Sequence, residues 1–348
     1  MNIDLLRALC ETPGVPGRED RVRDLITREI KGLFDDVETD AMGNLICRRA
    51  PTKKPKGEVQ RVMLACHMDE IGFFVSYIDS EGFIYVDPVG GFDQRNLFSR
   101  RVKICTNKGD FPGVMNPGGR PLHISTPEDR KKIPELSEFV IDTGLGKDTQ
   151  KKIQIGDFVV MDEPLVEMGD KIVSKALDNR IACWLGIEVI RKLVADKSKH
   201  ECEVWVAFTS QEEVGLRGAR TSAYRIKPHI GFGIDVTLSC DTPGVPKQDA
   251  VTIQGEGFGL HVKDSSFISD IKLIEEVEAL AKKKKIPSQR TILRAGGQDG
   301  AAAQQAAAGA RAIGIVVGTR YIHTVTEMIA KSDLIAARDI LAAWIAEN

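Results

Sequence analysis

The stretch VQRVMLACHMDE, residues 59–70, begins as an apolar run and ends on a group of polar side chains. Residues 59–66 have the composition of a buried β-strand, and His67, Asp69 and Glu70 follow it directly. Ligands of open α/β sheets collect beyond the carboxyl ends of the strands. This stretch therefore predicts a buried strand that carries a histidine and carboxylates to a ligand site.

Strands and helices alternate over most of the remaining sequence. Helical patterns cover residues 5–9 and 18–33, and after Gly169 the predicted helices are residues 179–193, 267–284, 300–308 and 325–346. The predicted strands among them are residues 203–209, 229–236 and 311–317. This alternation favours an α/β fold in which a mixed, mostly parallel sheet is flanked by helices.

Residues 71–166 have a different character. Glycine and proline recur there, and the predicted strands are short, at residues 83–86, 102–105 and 158–161. This pattern is typical of a small all-β barrel or sandwich. The simplest arrangement is an α/β domain formed by residues 1–70 and 167–348, interrupted by an inserted β-barrel domain at residues 71–166.

Composition narrows the classes of partner. The 348 residues carry 48 basic and 50 acidic side chains, a formal net charge of -2, which argues against electrostatic capture of nucleic acid or of an anionic membrane. Seven dispersed cysteines without a C-x-x-C pair favour buried thiols in a reducing compartment. Neither a secretory signal nor a membrane span is recognisable in the sequence. We therefore expect a cytoplasmic protein that acts on a small molecule or peptide.

Acidic side chains and histidines recur at the ends of the predicted strands. They lie in the segments CHMDE (66–70), ALDNR (176–180), SQEEVG (210–215), GIDVT (233–237) and YIHT (321–324). Each segment also has an ordinary interpretation: Asp178 could cap a helix and Asp235 could end a strand. Taken together, histidine, aspartate and glutamate without cysteine point to a hydrolytic metal such as zinc, cobalt or manganese.

In these segments the sequence resembles the tetrahedral, self-compartmentalising metallo-aminopeptidases, a family that includes glutamyl and deblocking aminopeptidases. Some members carry the label cellulase M. The resemblance rests on CHMDEIGF (66–73), ALDNR (176–180), SQEEVGLRGA (210–219), GIDVT (233–237) and RYIHTVTEM (320–328), in the order and spacing of the family. It implies a di-zinc exopeptidase type of α/β fold and removal of N-terminal residues from peptides.

The resemblance also implies two divalent metal ions, with Zn²⁺ favoured and Co²⁺ or Mn²⁺ as alternatives. His67 and Asp235 would hold one ion, and Glu213 and His323 would hold the other. Asp178 would bridge the two. The expected substrates are peptides with a free N-terminus.

The same resemblance assigns roles to two further carboxylates. Glu212 would be the general base that takes a proton from water and passes it to the leaving amine. Asp69 would accept the other ring proton of His67 and fix its tautomer. Adjacent side chains of extended backbone point in opposite directions, so Glu212 can face substrate while Glu213 binds metal.

Relatives of this kind pair subunits through the inserted β domain and build a hollow shell of twelve subunits. The resemblance therefore implies a homo-oligomer, specifically a dodecamer. The residues themselves support an inserted domain but do not give the number twelve.

Three other functions remain open at this stage. A metal-dependent amidase or deacylase acting on small acylated amino acids would use a similar site. A glycoside hydrolase would need two carboxyl groups and no metal, which leaves the two histidines unexplained. A self-assembling scaffold with an inactive site is the alternative without catalysis.

Several other residues have mainly structural interpretations. The segment GGQDG (296–300) stands where the family has Gly-Gly-Thr-Asp-Ala, so Gln298 and Asp299 could belong to a substrate loop or to a capped helix start. The remaining histidines, His123, His200, His229 and His261, are expected to have surface or packing roles. Lys282–Lys285 should end a helix, and GEGFG (255–259) should be a loop and not a dinucleotide site.

Overall fold

A mixed β-sheet and a β-barrel organise the chain. The computed structural model describes residues 1–348, with the exception of the side chain of Leu122. The strands are β1 Asp36–Thr39, β2 Leu45–Arg49, β3 Arg61–His67, β4 Gly72–Ile78, β5 Ile84–Val89, β6 Arg100–Thr106, β7 Gly109–Pro117, β8 Phe139–Asp142, β9 Phe158–Met161, β10 Val166–Met168, β11 Lys171–Ser174, β12 Glu203–Thr209, β13 Ile230–Leu238, β14 Phe258–Lys263, β15 Ser288–Ile292, β16 Arg311–Arg320 and β17 Glu327–Ala330. The helices are α1 Ile3–Glu11, α2 Asp20–Glu29, α3 Thr149–Lys152, α4 Leu177–Ala195, α5 Arg217–Ile226, α6 Ile271–Lys284, α7 Gly300–Gln304 and α8 Lys331–Glu347.

The large sheet has the strand order β1-β2-β12-β3-β13-β16-β17-β11-β10, with β14 beside β16 and β15 beside β14. Its centre is parallel, because β3 pairs in parallel with both β12 and β13, and β13 pairs in parallel with β16. Antiparallel strands flank this centre. The predicted mixed, mostly parallel α/β sheet is confirmed.

Helices cover both faces of the parallel strands. Successive residues of a strand point to opposite faces, so Leu64 of β3 joins the larger core with Trp184 of α4, and Met63 joins a smaller core with Ala303 of α7. Helices α1 and α8 pack with α4 on the first face, and α5 lies with α7 on the second. This double cover explains why residues 62–67 are all buried.

Strands β4 to β9 close into an antiparallel barrel in the order β4-β5-β8-β7-β6-β9. Closure depends on β9, which pairs with both β4 and β6. Phe73, Ile104 and Ile141 lie in the buried interior. The prediction of a small all-β barrel is confirmed. The domain boundaries at residues 70 and 167, and a role of the barrel in dimerisation, stay predictions.

The structure corrects some predicted element limits. Residues 327–330 form strand β17 and not the start of the last helix, which begins at Lys331. The alanine-rich helix ends at Gln304, and Ala307 and Gly309 then adopt positive φ angles. Helix α6 begins at Ile271, where the Asp270 side chain accepts the N–H of Leu273. The predicted loop 255–259 reaches only to Gly257, because Phe258 already belongs to β14.

Within the part of the chain that the structure describes, no helix combines the length and the apolar character that crossing a membrane needs.

Candidate metal centre

Parallel strands bring the predicted site residues to one edge of the sheet. His67 is the last residue of β3 and pairs in register with Thr209, the last residue of β12. Glu212 and Glu213 lie three and four residues after the end of β12. Asp235 lies on β13, which pairs with β3 on the side opposite to β12. Neighbouring strands are about 4.8 Å apart, so these side chains meet although they are far apart in sequence.

The first group of possible ligands contains His67, Asp178 and Asp235, whose ligand atoms all lie within 4.8 Å of one another. His67 Nε2 is 3.4 Å from Asp178 Oδ1 and 3.9 Å from Asp235 Oδ1. All three residues are buried. The family resemblance assigns His67 and Asp235 to one ion.

The second group contains Asp178, Glu213 and His323, again with ligand atoms within 4.8 Å of one another. His323 Nε2 is 3.4 Å from both Asp178 Oδ2 and Glu213 Oε2. Asp178 therefore presents one oxygen to His67 and the other to His323. A carboxylate shared in this way has the placement expected of a bridging ligand.

The side chains present are compatible with divalent cations. Oxygen and imidazole nitrogen donors, without thiolate, suit zinc, cobalt or manganese. Glu213 Oε1 is buried and has no hydrogen-bond partner among the described residues. A buried carboxylate oxygen without a partner is costly unless a cation compensates it, so the orphaned atom marks a position where a cation would be accommodated.

Electrostatics lead to the same conclusion. Burial by itself disfavours charge on His67, but Glu212 and the hydrogen-bonded Asp178 outweigh it and hold the pKa of His67 well above its ordinary value. Burial also raises the pKa of Glu212 and of Asp235 well above their ordinary range, although His67 opposes the change. The cluster therefore needs compensating positive charge, which protons or divalent cations can supply.

Glu212 lies beside the ligand groups without belonging to either in the described structure. Its Oε2 is 3.8 Å from His67 Nε2, and its side chain is 10% exposed. Glu212 also lines a cleft of about 870 Å³ that opens in front of the two groups. A carboxylate in this position can reach both a water molecule at the metal site and a substrate in the cleft.

Asp69 connects β3 to the segment that follows β12. Its carboxylate accepts the backbone N–H groups of Glu212 at 3.0 Å and Glu213 at 3.1 Å. The ring nitrogen Nδ1 of His67 lies 3.5 Å from the Asp69 carboxylate and 3.2 Å from the Asp69 carbonyl oxygen. Sequence reasoning assigned Asp69 only to the imidazole, and the structure adds the two backbone contacts.

Sequence reasoning missed Glu327. Its carboxylate is 2% exposed and accepts the N–H of Asp178 at 2.9 Å and the N–H of His323 at 2.8 Å. It therefore holds the backbone of two candidate ligands. The available signal was an acid four residues after His323 within RYIHTVTEM, but that spacing does not reveal a bond to Asp178.

The barrel contributes to the same centre. The Nδ1 atom of His323 lies 2.8 Å from the carbonyl oxygen of Gly91, in the segment that follows barrel strand β5. Phe92, Asp93 and Asn96 from this segment line the cleft. One wall of the cleft is therefore built by the barrel loop between β5 and β6.

The GGQDG segment runs from the cleft wall into the protein interior. Gly296 and Gly297 line the cleft, whereas Gln298 and Asp299 are buried. Asp299 precedes helix α7 but makes no side-chain cap; its carboxylate instead accepts a hydrogen bond from the Thr209 hydroxyl. Burial raises the pKa of Asp299 to about 6, although His67 opposes the change.

The other histidines lie elsewhere. His123 is exposed, and the Nδ1 atom of buried His200 lies 2.8 Å from the Cys202 carbonyl oxygen. Buried His261 contacts Asp264 and Thr291. Among the described residues, none of these histidines is part of the two ligand groups.

Comparison with known proteins places the chain in a family. The family model for the M42 glutamyl aminopeptidase matches residues 43–340. A glutamyl aminopeptidase of Lactococcus lactis is 31% identical, over 98% of this chain and 95% of that protein. An aminopeptidase structure from Desulfurococcus kamchatkensis has a TM-score of 0.92 at 35% identity, covering 99% and 94% of the two chains. The TET1 peptidase of Pyrococcus horikoshii, which can assemble into a tetrahedron or a large octahedral shell, has a TM-score of 0.86 at 31% identity, covering 99% and 98%. The chain therefore belongs to the M42 glutamyl aminopeptidase family of metal-dependent aminopeptidases.

Proposed function

We propose that the chain removes N-terminal residues from peptides with two divalent cations and with Glu212 as the general base. The observation that carries this proposal is the pair of ligand groups that share Asp178, with the Glu212 carboxylate beside them at the cleft. Zinc is the proposed native metal, and cobalt and manganese fit the same donors.

Each ion has a proposed set of ligands. His67 and Asp235 hold one ion, Glu213 and His323 hold the other, and Asp178 contacts both. When bound, such ions polarise the scissile carbonyl and lower the pKa of water towards about 7. The protein residues must supply the orientation, the proton transfer and the recognition of the peptide end.

Proton transfer is assigned to Glu212. Burial, with Asp235 and Asp299 nearby, raises the pKa of Glu212 against the opposing effect of His67. The Glu212 carboxylate also lies beside both ligand groups and lines the cleft, within reach of a water molecule there and of a bound substrate. Glu212 therefore takes a proton from the attacking water and delivers it to the leaving amine. The surrounding carboxylates also favour a substrate that presents a free amine and not an acylated one.

The first experiment replaces Glu212 by glutamine. We expect kcat to fall about 10²- to 10⁴-fold, the usual contribution of a general base, while metal analysis still finds two ions per chain. Glu213→Gln is the matched variant, because it changes the adjacent side chain and should lower metal content. An active Glu212→Gln enzyme would show that the base is another group.

Chelation separates the alternatives that the sequence left open. Removing the metals should abolish aminopeptidase activity, and adding zinc, cobalt or manganese back should restore it to different extents. Activity on a glycoside that survives chelation would favour a glycoside hydrolase. Equal turnover of free and N-acetylated substrates would favour an amidase or deacylase.

The cleft walls support a preference for an apolar N-terminal residue. The apolar side chains that line the cleft are Leu216, Val236, Leu238, Leu293, Ala295 and Ile322. Burying a leucine-sized side chain stabilises a complex by about 1.5–3 kcal/mol, so a leucyl reporter should exceed an alanyl reporter about tenfold in kcat/KM. Arg220 is a cation in the same lining, so faster cleavage of a glutamyl reporter would contradict the preference and assign selection to Arg220.

Assembly and location complete the proposal. We propose for this chain a tetrahedral assembly like that of the Pyrococcus horikoshii peptidase. Its twelve subunits would pair through the barrel. Light scattering should give the mass of a dodecamer, and a monomer at working concentration would refute it. All seven cysteines are free in the described structure, which fits a reducing cytoplasmic location.

A further inference from the structure

Four consecutive backbone N–H groups after strand β12 are each held by a side-chain oxygen. The pairs are Ser210 with Asn44 Oδ1 at 2.9 Å, Gln211 with Glu19 Oε1 at 3.0 Å, Glu212 with Asp69 Oδ1 at 3.0 Å and Glu213 with Asp69 Oδ2 at 3.1 Å. The three acceptor residues come from separate parts of the chain, just before α2, just before β2 and just after β3. We call Glu19, Asn44 and Asp69 the amide clamp.

The clamp residues are themselves fixed. Asn44 is fully buried, and its Nδ2 atom donates to Asp40 at 2.7 Å and to Thr221 at 2.8 Å. Glu19 is 3% exposed, and the oxygen that accepts from Gln211 also accepts the N–H of Gly17 at 2.8 Å. Acceptors held in this way have little freedom to follow a displaced segment, so the segment must adapt to them.

The segment needs such support. Gln211, directly before Glu212, has a φ of +56°, which is unfavourable for a residue with a side chain. The Glu19 bond is made at this same residue. Backbone in a sparsely populated conformation persists only when the surrounding structure specifies it. Without the Glu19 oxygen, the backbone of Gln211 should relax to an ordinary conformation. This relaxation would turn the Glu212 side chain away from its position.

We propose that Glu19 and Asn44 are positioning residues that act on the reaction through Glu212. This inference rests on the proposed role of Glu212 as the base. In the described structure neither residue belongs to a ligand group or lines the cleft. Both lie behind the segment that carries Glu212. Their loss should therefore change kcat and leave the binding of substrate and metals nearly intact.

Glu19 gives the sharper test, because its conservative variant keeps the acceptor. Glu19→Ala should lower kcat about tenfold to hundredfold, since displacement of a catalytic group by about 1 Å can cost this much. KM should stay within about threefold, and metal analysis should still find two ions per chain. Glu19→Gln retains an oxygen at Oε1 and should restore most of kcat.

A double variant tests whether Glu19 affects kcat through Glu212. In a Glu212→Gln background, Glu19→Ala should add little further loss, because the group that it positions is already absent. A full additional loss would show that Glu19 acts elsewhere and would overturn the inference. So would wild-type kcat in Glu19→Ala. An active Glu212→Gln enzyme would instead refute the proposed base, whatever Glu19 does.

Two controls separate positioning from stability. Asp157 in the barrel is also a buried carboxylate that holds a backbone N–H, that of Gln154 at 2.9 Å. Asp157→Ala should lower the melting temperature and leave kcat unchanged. If Glu19→Ala does not fold, Glu19→Asp keeps the carboxyl group but withdraws its oxygen by one methylene. Its kcat should then fall while Glu19→Gln stays active, and equal activity of the two would overturn the inference.

Discussion

Replacing Glu327 by alanine tests whether the metal ligands are held in place from behind. The substitution removes two hydrogen bonds, from the N–H of Asp178 at 2.9 Å and from the N–H of His323 at 2.8 Å. Each lost bond leaves a backbone N–H without its acceptor, which costs about 1–3 kcal/mol where the group is buried. Partial relaxation should leave a loss of about 3 kcal/mol in the free energy of unfolding of the metal-free protein.

Metal binding should weaken as well. Loss of a group that orients a metal ligand typically costs about 10- to 100-fold in affinity, which corresponds to about 1.4–2.7 kcal/mol. Competition between the protein and a chromogenic chelator measures this affinity for zinc, and denaturant titration measures the unfolding free energy. Glu327→Ala should change both quantities.

Asp333 supplies the matched control. It is fully buried in α8, and its carboxylate accepts two backbone N–H groups, from Gly255 at 2.8 Å and Gly257 at 3.0 Å. Asp333→Ala should therefore lose comparable stability without losing zinc affinity. Wild-type zinc affinity in Glu327→Ala, or an equal loss in Asp333→Ala, would refute the reasoning that Glu327 acts on the ligands.

Two further predictions concern buried and partly buried charges. The bidentate hydrogen bonds from Arg320 lower the pKa of Asp241 to about 2, so this carboxylate stabilises the fold above about pH 4 and loses its contribution as the pH falls towards 2. Asp241→Asn should lower the free energy of unfolding by about 1–2 kcal/mol at pH 7, allowing for solvent screening. In denaturant titrations, the difference in this free energy between the variant and the wild type should shrink between pH 5 and pH 3. A difference that stays constant with pH would contradict this. Glu70 accepts from Lys175 at 2.7 Å and from Arg180 at 3.2 Å, with all three side chains buried. Glu70→Ala leaves two buried cations without their anion, so the free energy of unfolding, measured in the same titrations, should fall by about 3–5 kcal/mol. A loss below about 1 kcal/mol would show that water compensates the cations.

The sequence predicted the sheet and the assembly of the candidate ligands because both depend on local patterns. An apolar run that ends on His67 specifies a buried strand and a polar end without knowledge of its neighbours. Parallel strands then bring such ends together, which is why Glu212 and Asp235 lie within 4 Å of His67. The roles of these residues in catalysis and metal binding stay predictions.

Other features could not be predicted because they depend on contacts distant in sequence. Residues 328–330 have apolar side chains that suit a helix, but pairing with β11 and β16 makes residues 327–330 a strand. Closure of the barrel requires β9 to pair on both sides. Glu19, Asn44 and Glu327 hold backbone N–H groups far along the chain, and a side-chain-to-backbone bond leaves no periodic signal.

Unfavourable backbone conformations at and beside the site residues explain why buried side chains form hydrogen bonds with this backbone. Ala176, Gln211 and His323 all have positive φ angles, and each lies in or beside a segment that carries a candidate ligand or the proposed base. Each such residue costs about 1–2 kcal/mol, so these turns would relax if they were isolated. Glu19 bonds the N–H of Gln211 and Glu327 bonds that of His323. The sheet determines where these segments begin and end. The two carboxylates fix the backbone from which the Glu212 and His323 side chains extend.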